Sequence, residues 1–330
     1  MGTGANSSES GRSDSGRSAP SSPERPLIGV IGLGNVGLHY AQNLLAHAHQ
    51  VMVWDQDISK MGKLEGSDAT IASSTKDLVT HCNVVVLALP NPRAVENEIY
   101  GEMGILDNAR DDLLIIDIST IDPQTAERLY ADASKVGARY LECPMSGGEP
   151  GGAGQEGAKA GTITFMVGGD KDSFEQAKPV LENLGRHALY LGPAGAGNTV
   201  KLISNLIAGL NMAVMAEGFV LGAAAGISHE KLLKVFKHTD AKSYTMFEEF
   251  APRLRACDYE GGFPVDLMHK DHRLASELGR KLGVPLLFNQ LALEVYQIAR
   301  SQGMGRQSHA VVVEALAAIA GVELLNKEPP

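Results

Sequence analysis

The stretch "LIGVIGLGNVGLHYAQNLLAHAHQVMVWDQD", residues 27–57, decides the fold. An apolar, β-branched run is followed by glycines at Gly32, Gly34 and Gly37, a stretch with apolar residues at helical spacing, and a second apolar run that ends at Asp55. Strand, glycine turn, helix and strand in this order make a βαβ unit. Gly32-Leu33-Gly34-Asn35-Val36-Gly37 fits GxGxxG, which means little alone. Here a strand precedes it, a helix follows it, and an acid stands 23 residues after Gly32, and this context points to a bound dinucleotide. Gly32 permits the tight turn, Gly34 lets backbone amides approach a pyrophosphate, and Gly37 lets the helix pack closely, while the helix N-terminus favours the anion. Asp55 is placed to accept hydrogen bonds from the adenosine ribose and to repel a 2′-phosphate. NAD is therefore the preferred cofactor, with NADP as the alternative; no arginine follows Asp55 closely enough to hold a phosphate.

Further strands are predicted at 83–90, 112–120, 139–144, 162–169 and 188–192, many of them separated by helical spacers such as "DPQTAERLYADASKVG". Alternation of this kind predicts an α/β fold, a Rossmann-type, doubly wound, mainly parallel sheet. After Gly192 the strand signals stop and helix follows helix, the first of them a long apolar one from about 196 that joins the two parts. The expected organisation is a disordered tail over 1–26, a dinucleotide-binding domain over 27–193 and an all-α domain over 194–330. Ser228 reads as an N-cap, and Gly283 followed by Pro285 as a stop and restart.

The tail holds eight serines, three prolines and almost no apolar side chain, too little to offset ordering. It lacks the apolar core of a secretory signal and the amphipathic pattern of a transit peptide. A net charge of −10 argues against a nucleic-acid partner. Cys82, Cys143 and Cys257 lie far apart with no CxxC pair, which fits reduced thiols in a cytoplasmic protein and no metal site. The long apolar helix is the one membrane candidate, and Ser204, Asn205, Asn211 and Glu217 interrupt it, so no membrane span is expected.

Between Lys201 and Glu217 that helix carries no charge. At about 100° per residue Ile203, Ile207, Leu210 and Val214 share one face, and Lys201 and Asn205 lie nearly opposite. Lys201 either points into a pocket or snorkels to water. Ser146, Gly147 and Gly148 follow a strand directly, where amides and a hydroxyl could cradle an anion, although a plain flexible loop reads the same way. Lys270 and Asp271 stand at a predicted helix start, the acid reading as a cap on a solvated face.

With the glycine turn, the Ser-Gly-Gly loop, the lysine helix and "KDHRLA" (270–275) in this order, the chain resembles the β-hydroxyacid dehydrogenases, the family of 3-hydroxyisobutyrate dehydrogenase and tartronate semialdehyde reductase, from about Leu27 to Ala320. The resemblance implies Lys201 as general acid/base, Asn205 as a substrate contact, and Ser146, Gly147 and Gly148 as the carboxylate site. It implies that Leu89, Pro90, Thr120 and Lys270 line the cofactor. The expected activity interconverts a small anionic β-hydroxy acid and its aldehyde in a homodimer or homotetramer. Two rival readings share the fold: a non-catalytic dinucleotide-binding scaffold, and an imine reductase, whose members usually replace this lysine. The chain departs from the family pattern at Val36, at His39-Tyr40, and at "GGAGQE" (151–156), which lengthens the substrate loop by about six residues.

Overall fold

The computed structural model describes residues 26–147 and 154–324, together with Met1. Residues 2–25 of the expected tail, Gly148, and residues 151–153 of the lengthened loop lie outside the described residues. The strands are β1 (Ile28–Ile31), β2 (Val51–Trp54), β3 (Thr70–Ile71), β4 (Val84–Leu87), β5 (Leu114–Asp117), β6 (Arg139–Glu142), β7 (Met145–Gly147), β8 (Ile163–Gly169) and β9 (His187–Gly192). They form one sheet in the order β3-β2-β1-β4-β5-β6-β8-β7, with β9 also paired to β8. Strands β1 to β6 are parallel to one another, β8 runs antiparallel to β6 and β7, and β9 is parallel to β8. The order reverses between β1 and β4, which opens a crevice at the carboxyl ends of these strands.

The central strands read as unbroken apolar runs because both faces of the sheet are covered. Ile28, Val30, Val86 and Ile116 pack on one face with Leu44 of the helix Gly37–Ala46. Their neighbours Ile31, Val85, Leu87 and Ile115 pack on the other with Leu129 of the helix Pro123–Lys135. Beyond the sheet, the helix Ala196–Ala224 packs against Val265–Leu282, Leu287–Ser301 and Val312–Ala320. Met212, Phe219, Phe250, Tyr296 and Val312 belong to a second core there. The long helix has the length and hydropathy of a membrane span, yet the face that carries Leu202, Met212 and Phe219 is buried inside the chain.

Several local expectations are corrected. Strands β3 and β7 carry no strand signal of their own, and the cradle read as a loop places Ser146 and Gly147 on β7, paired to Thr164 and Ile163. The helix with Lys270 and Asp271 starts at Val265, so Asp271 lies in its second turn and is no cap. Ser228 is an N-cap by position, but its hydroxyl makes no capping hydrogen bond. Among the helices expected after Gly192, the segment 244–255 is not a uniform α-helix, because Met246–Phe250 is a π-helical turn.

What seats the long helix on the sheet is a buried acid. Glu142, the last residue of β6, is fully buried and accepts from the amides of Gly197 (2.8 Å) and Asn198 (3.2 Å) and from the Asn198 side-chain amide (2.5 Å). The Asn198 side-chain Oδ1 in turn accepts from the amide of Ile121 at 3.0 Å. The helix has no capping side chain of its own, since its N-cap is Gly195 with φ of +94°; the carboxylate satisfies first-turn amides and sits at the positive end of the dipole. A Cβ on Gly197 would overlap the Met166 carbonyl, so the helix start and β8 touch through backbone. Glu142→Gln turns one acceptor into a donor facing buried N–H groups. A loss of about 2 kcal/mol in unfolding free energy is expected, to be read from the denaturant midpoint.

Candidate active site

The carboxyl ends of β1, β4 and β5 and the long helix enclose a cleft of about 770 Å³. Gly32, Gly34, Asn35, Val36 and Asp55 line one end, Leu89, Pro90 and Thr120 the middle, and Ser146, Gly147, Lys201, Asn205 and Lys270 the other. Leu33 and Gly37 do not line it. Leu33 is buried, and its amide donates to Asp55 Oδ2 at 2.7 Å, so it orients the acid from behind. A Cβ on Gly37 would overlap the Gly32 carbonyl, which makes the third glycine a packing requirement.

The turn fits a dinucleotide on its own geometry. Gly32 has φ of +91°, and a Cβ on Gly34 would meet nothing within 4 Å, so there is open space over that backbone. The helix Gly37–Ala46 begins at Val36 with no side-chain cap and no acid in its first turn, leaving its amides available to an anion. Asp55 also accepts from the Asp57 amide at 2.8 Å, and Lys60 Nζ lies 3.2 Å from both its oxygens. Lys60 stands five residues downstream, a separation that carries no cofactor signal in the sequence.

The middle of the cleft is held by Asp117 at the end of β5. Its carboxyl accepts from the Ser119 amide (2.9 Å) and the Tyr140 hydroxyl (2.8 Å), and burial pushes it up to about 6. Ser119 Oγ accepts from the Leu89 amide at 3.0 Å, which ties the turn after β4 to the turn after β5. Lys270 Nζ donates to the Thr120 carbonyl at 2.8 Å, joining the helical domain to the same turn.

At the far end Lys201 is buried rather than snorkelling, with 5% of its surface exposed. Its Nζ donates to Asn205 Oδ1 at 3.0 Å, one helical turn on, and lies 5.7 Å from the centre of the Phe263 ring. Asn205 Nδ2 donates to Asp271 Oδ2 at 2.5 Å, and Lys270 Nζ lies 3.1 Å from Asp271 Oδ1. A chain of Lys201, Asn205, Asp271 and Lys270 therefore orients the first amine through side chains of two helices. Burial pushes the Lys201 amine down to about 8; Asp271 and Glu249 oppose the change, and the Lys270 ammonium adds to it. Glu249, Phe263 and His309 also line this end, and none of them carries a sequence signal by spacing. Among the described residues no cluster of three metal-ligating side chains occurs. An amine brought down to about 8, so that part of it is neutral at physiological pH, beside a cleft shaped for a dinucleotide, can take a proton from a hydroxyl or return it to an oxygen.

The family profile for the NAD-binding domain of 6-phosphogluconate dehydrogenase matches residues 27–192, and the profile for the NAD-binding region of NADP-dependent 3-hydroxyisobutyrate dehydrogenase matches 195–316. A probable mitochondrial 3-hydroxyisobutyrate dehydrogenase of Dictyostelium discoideum is 36% identical over 88% of this chain and 90% of its own length. The 2-(hydroxymethyl)glutarate dehydrogenase of Eubacterium barkeri is 32% identical over 90% of this chain and 97% of its own. The structure of a Mycobacterium tuberculosis 3-hydroxyisobutyrate dehydrogenase with L-serine superposes with a TM-score of 0.80 at 27% identity, covering 88% of this chain and 99% of that one. Imine reductases, at 19% identity, share the fold alone.

The shifted amine can be titrated directly. Reductive methylation with labelled formaldehyde, followed by NMR, should show one lysine resonance titrating near 8, lost in Lys201→Met, against an ordinary value of 10.5. The unfolded chain keeps that ordinary value, so from about 8 to 10.5 it binds more protons than the folded one. The contribution of Lys201 to stability therefore rises with pH across that window.

Proposed function

We propose that this chain, which belongs to the β-hydroxyacid dehydrogenase family, interconverts a small β-hydroxy acid and its semialdehyde with Lys201 as the general acid/base. It is an NAD(P)-dependent oxidoreductase. One observation carries the role of Lys201: its amine is buried in the cleft, depressed to about 8 and aimed by Asn205. Gly32, Gly34, Asn35 and Val36 would hold the pyrophosphate, Asp55 the ribose, and Leu89, Pro90, Thr120 and Lys270 the nicotinamide side. The bound cofactor supplies the hydride acceptor or donor. Ser146 and Gly147 on β7 would receive the substrate carboxylate, and Asn205 would help to hold the carbinol oxygen. Lys201 takes the hydroxyl proton in oxidation and returns it in reduction, so oxidation requires the neutral amine and its rate rises with pH through about 8.

NAD remains the preferred cofactor in this reading because Asp55 faces the cleft with an acceptor-only group. Lys60 moderates that preference, since its ammonium beside Asp55 can also meet a phosphate. A screen of hydroxy acids, aldehydes and cyclic imines, with both cofactors, tests the whole assignment. Expected are NAD-linked oxidation of a β-hydroxy acid, no imine reduction, a fall of ~10² to 10⁴ in turnover for Lys201→Met with the cofactor still bound, and a roughly tenfold sharper NAD preference in Lys60→Ala. Near-normal turnover by Lys201→Met sinks the assignment.

The same reading makes the protein a homodimer or homotetramer. Ile203, Ile207, Val214 and Leu221 repeat along one face of the long helix and are 50%, 55%, 63% and 72% exposed in the single chain, an apolar stripe that a second copy would cover. Light scattering should give at least a dimer, and Ile207→Glu with Val214→Glu should give a monomer; a monomeric wild type refutes the oligomer.

A further inference from the structure

Among the described residues four carboxylates line the cleft, those of Asp55, Glu98, Glu249 and Asp271. Three of them are spent within the protein. Asp55 takes Lys60 and two backbone amides, Asp271 takes Asn205 and Lys270, and Glu249 takes His309, whose Nε2 lies 3.4 Å from its Oε2. Glu98 is only half engaged. Its Oε2 accepts from the Thr75 hydroxyl at 2.5 Å, and no hydrogen bond or ion pair from a described residue reaches its Oε1.

The fold gives this carboxylate a definite place. Glu98 lies on the helix Pro92–Tyr100 that follows β4, and Ala94, Asn97 and Glu98 all line the cleft because residues three and four apart share a helix face. Val95 and Ile99 of the same helix pack against the sheet with Ile31, Met52 and Leu78, so the helix cannot roll and turn Glu98 away without exposing them. Thr75 is the buried first residue of the helix Thr75–His81, which follows β3 at the edge of the sheet. Its hydroxyl therefore holds Glu98 on the β2 and β3 side of the cleft, the side of Asp55, Gln56 and Lys60, away from Thr120 and Lys201.

A dinucleotide whose pyrophosphate lies over Gly34 and whose adenosine ribose meets Asp55 carries its base on this same side. Ala94 offers the base only a methyl contact, and Lys60 is paired with Asp55. Gln56 and Asn97 each carry both a donor and an acceptor, so they suit any purine equally. Glu98 alone combines an acceptor-only group with an open oxygen. Adenine presents an amino group at its 6-position, a donor, where hypoxanthine presents a carbonyl oxygen. An ionised carboxylate accepts from the first and repels the second. Because Thr75 fixes the side chain in advance, binding does not have to order it.

We infer that Glu98 selects adenine as the base of the dinucleotide by accepting a hydrogen bond from its 6-amino group, with Thr75 as the positioning residue. The inference rests on the dinucleotide reading of the cleft and deepens it: Asp55 and Lys60 act on the ribose, Glu98 on the base. No covalent bond is made or broken in this recognition.

NADH and its hypoxanthine analogue, reduced nicotinamide hypoxanthine dinucleotide, test this. They share both riboses, the pyrophosphate and the nicotinamide, and differ only in the base. Their affinities for the full chain are measured by calorimetry without substrate, so the result does not depend on which acid is oxidised. The wild type is expected to bind NADH about 20-fold more tightly, the scale of a hydrogen bond to a charged group. Glu98→Gln keeps the size of the side chain and an acceptor for Thr75, and should bring the two affinities within about threefold of each other, chiefly by weakening NADH. Thr75→Val should lower the ratio part of the way, because Glu98 then lacks its hold.

A wild type that binds both dinucleotides equally overturns the inference and leaves the dinucleotide reading standing. So does a Glu98→Gln variant that weakens both by the same factor, since that is the mark of a structural role. Should Glu98→Gln fail to fold, the wild-type ratio and Thr75→Val decide alone. Failure to bind NADH at all removes the dinucleotide reading and this inference with it, whereas failure to oxidise any hydroxy acid, with the affinity ratio intact, removes the proposed activity alone.

Discussion

The structure depends on a carboxylate at the end of one strand meeting the open amides of one helix. Glu142 and Asp117 are register partners at the carboxyl ends of β6 and β5, both fully buried, and each spends its oxygens on a junction. Asp117 holds Ser119, whose hydroxyl ties the turn after β4 to the turn after β5. Glu142 anchors the start of the helix that carries Lys201. Both are pushed upward by burial, Glu142 to about 7, yet the donors that converge on Glu142 are suited to an ionised group. Such an anchor is directional in a way that apolar packing is not. A Leu or Met at the same place could fill the space, but it would leave the amides of Gly197 and Asn198 without partners and the helix free to pivot. With the helix start fixed to the sheet, Lys201, three residues beyond Asn198, is held at a set depth beside the cleft.

From that anchor the electrostatics of the cleft follow as a balance between burial and charge. The Lys201 ammonium loses water when it is buried, and this loss dominates over the attraction of Asp271 and Glu249. Asn205 stands between Lys201 and Asp271, so the carboxylate orients the amine through an amide without touching it. Direct contact would have formed a buried ion pair and raised the lysine, which is the wrong sense for a proton acceptor at neutral pH. Lys270 contributes from the other side: its ammonium neutralises Asp271, holds the Thr120 carbonyl and adds repulsion at Lys201. One lysine is thereby a structural cation and the other a titratable base, although both are lysines on neighbouring helices.

The nucleotide half was legible because its signal is local. Gly32, Gly34, Gly37 and Asp55 lie within one βαβ unit, and each glycine answers to a steric demand that a sequence can state: a positive φ, open space, or a close backbone contact. Lys201 and Asn205 were legible as a pair because four residues on a helix share a face. The rest depends on chain segments far apart. Asp271 reads as a helix cap until the helix is seen to start at Val265, and only the packing of that helix on the long one brings it to Asn205. Glu142 has no neighbours in sequence that distinguish it from a strand-end acid. Glu249 is invisible because a π turn shifts every following residue by one position relative to a regular helix, which periodicity cannot reveal. Strand β7 has no sequence signal, since three residues with a glycine among them carry no alternation.

The two ends of the cleft therefore differ in kind as well as in legibility. The end shaped for a dinucleotide is built from backbone: amides of a helix start, a glycine without a side chain, a strand-end acid held by the amides of Leu33 and Asp57. Backbone geometry is set by the fold, and it can be read wherever the fold can. The other end is lined by side chains drawn from β7, the long helix, the π turn, the loop before Val265 and the 3₁₀ turn at His309. No single element owns that end, so one added residue in one helix can re-aim a carboxylate without disturbing the cofactor half. A scaffold that separates the two tasks in this way fixes hydride chemistry by its sheet and leaves the choice of acid to the helices packed against it.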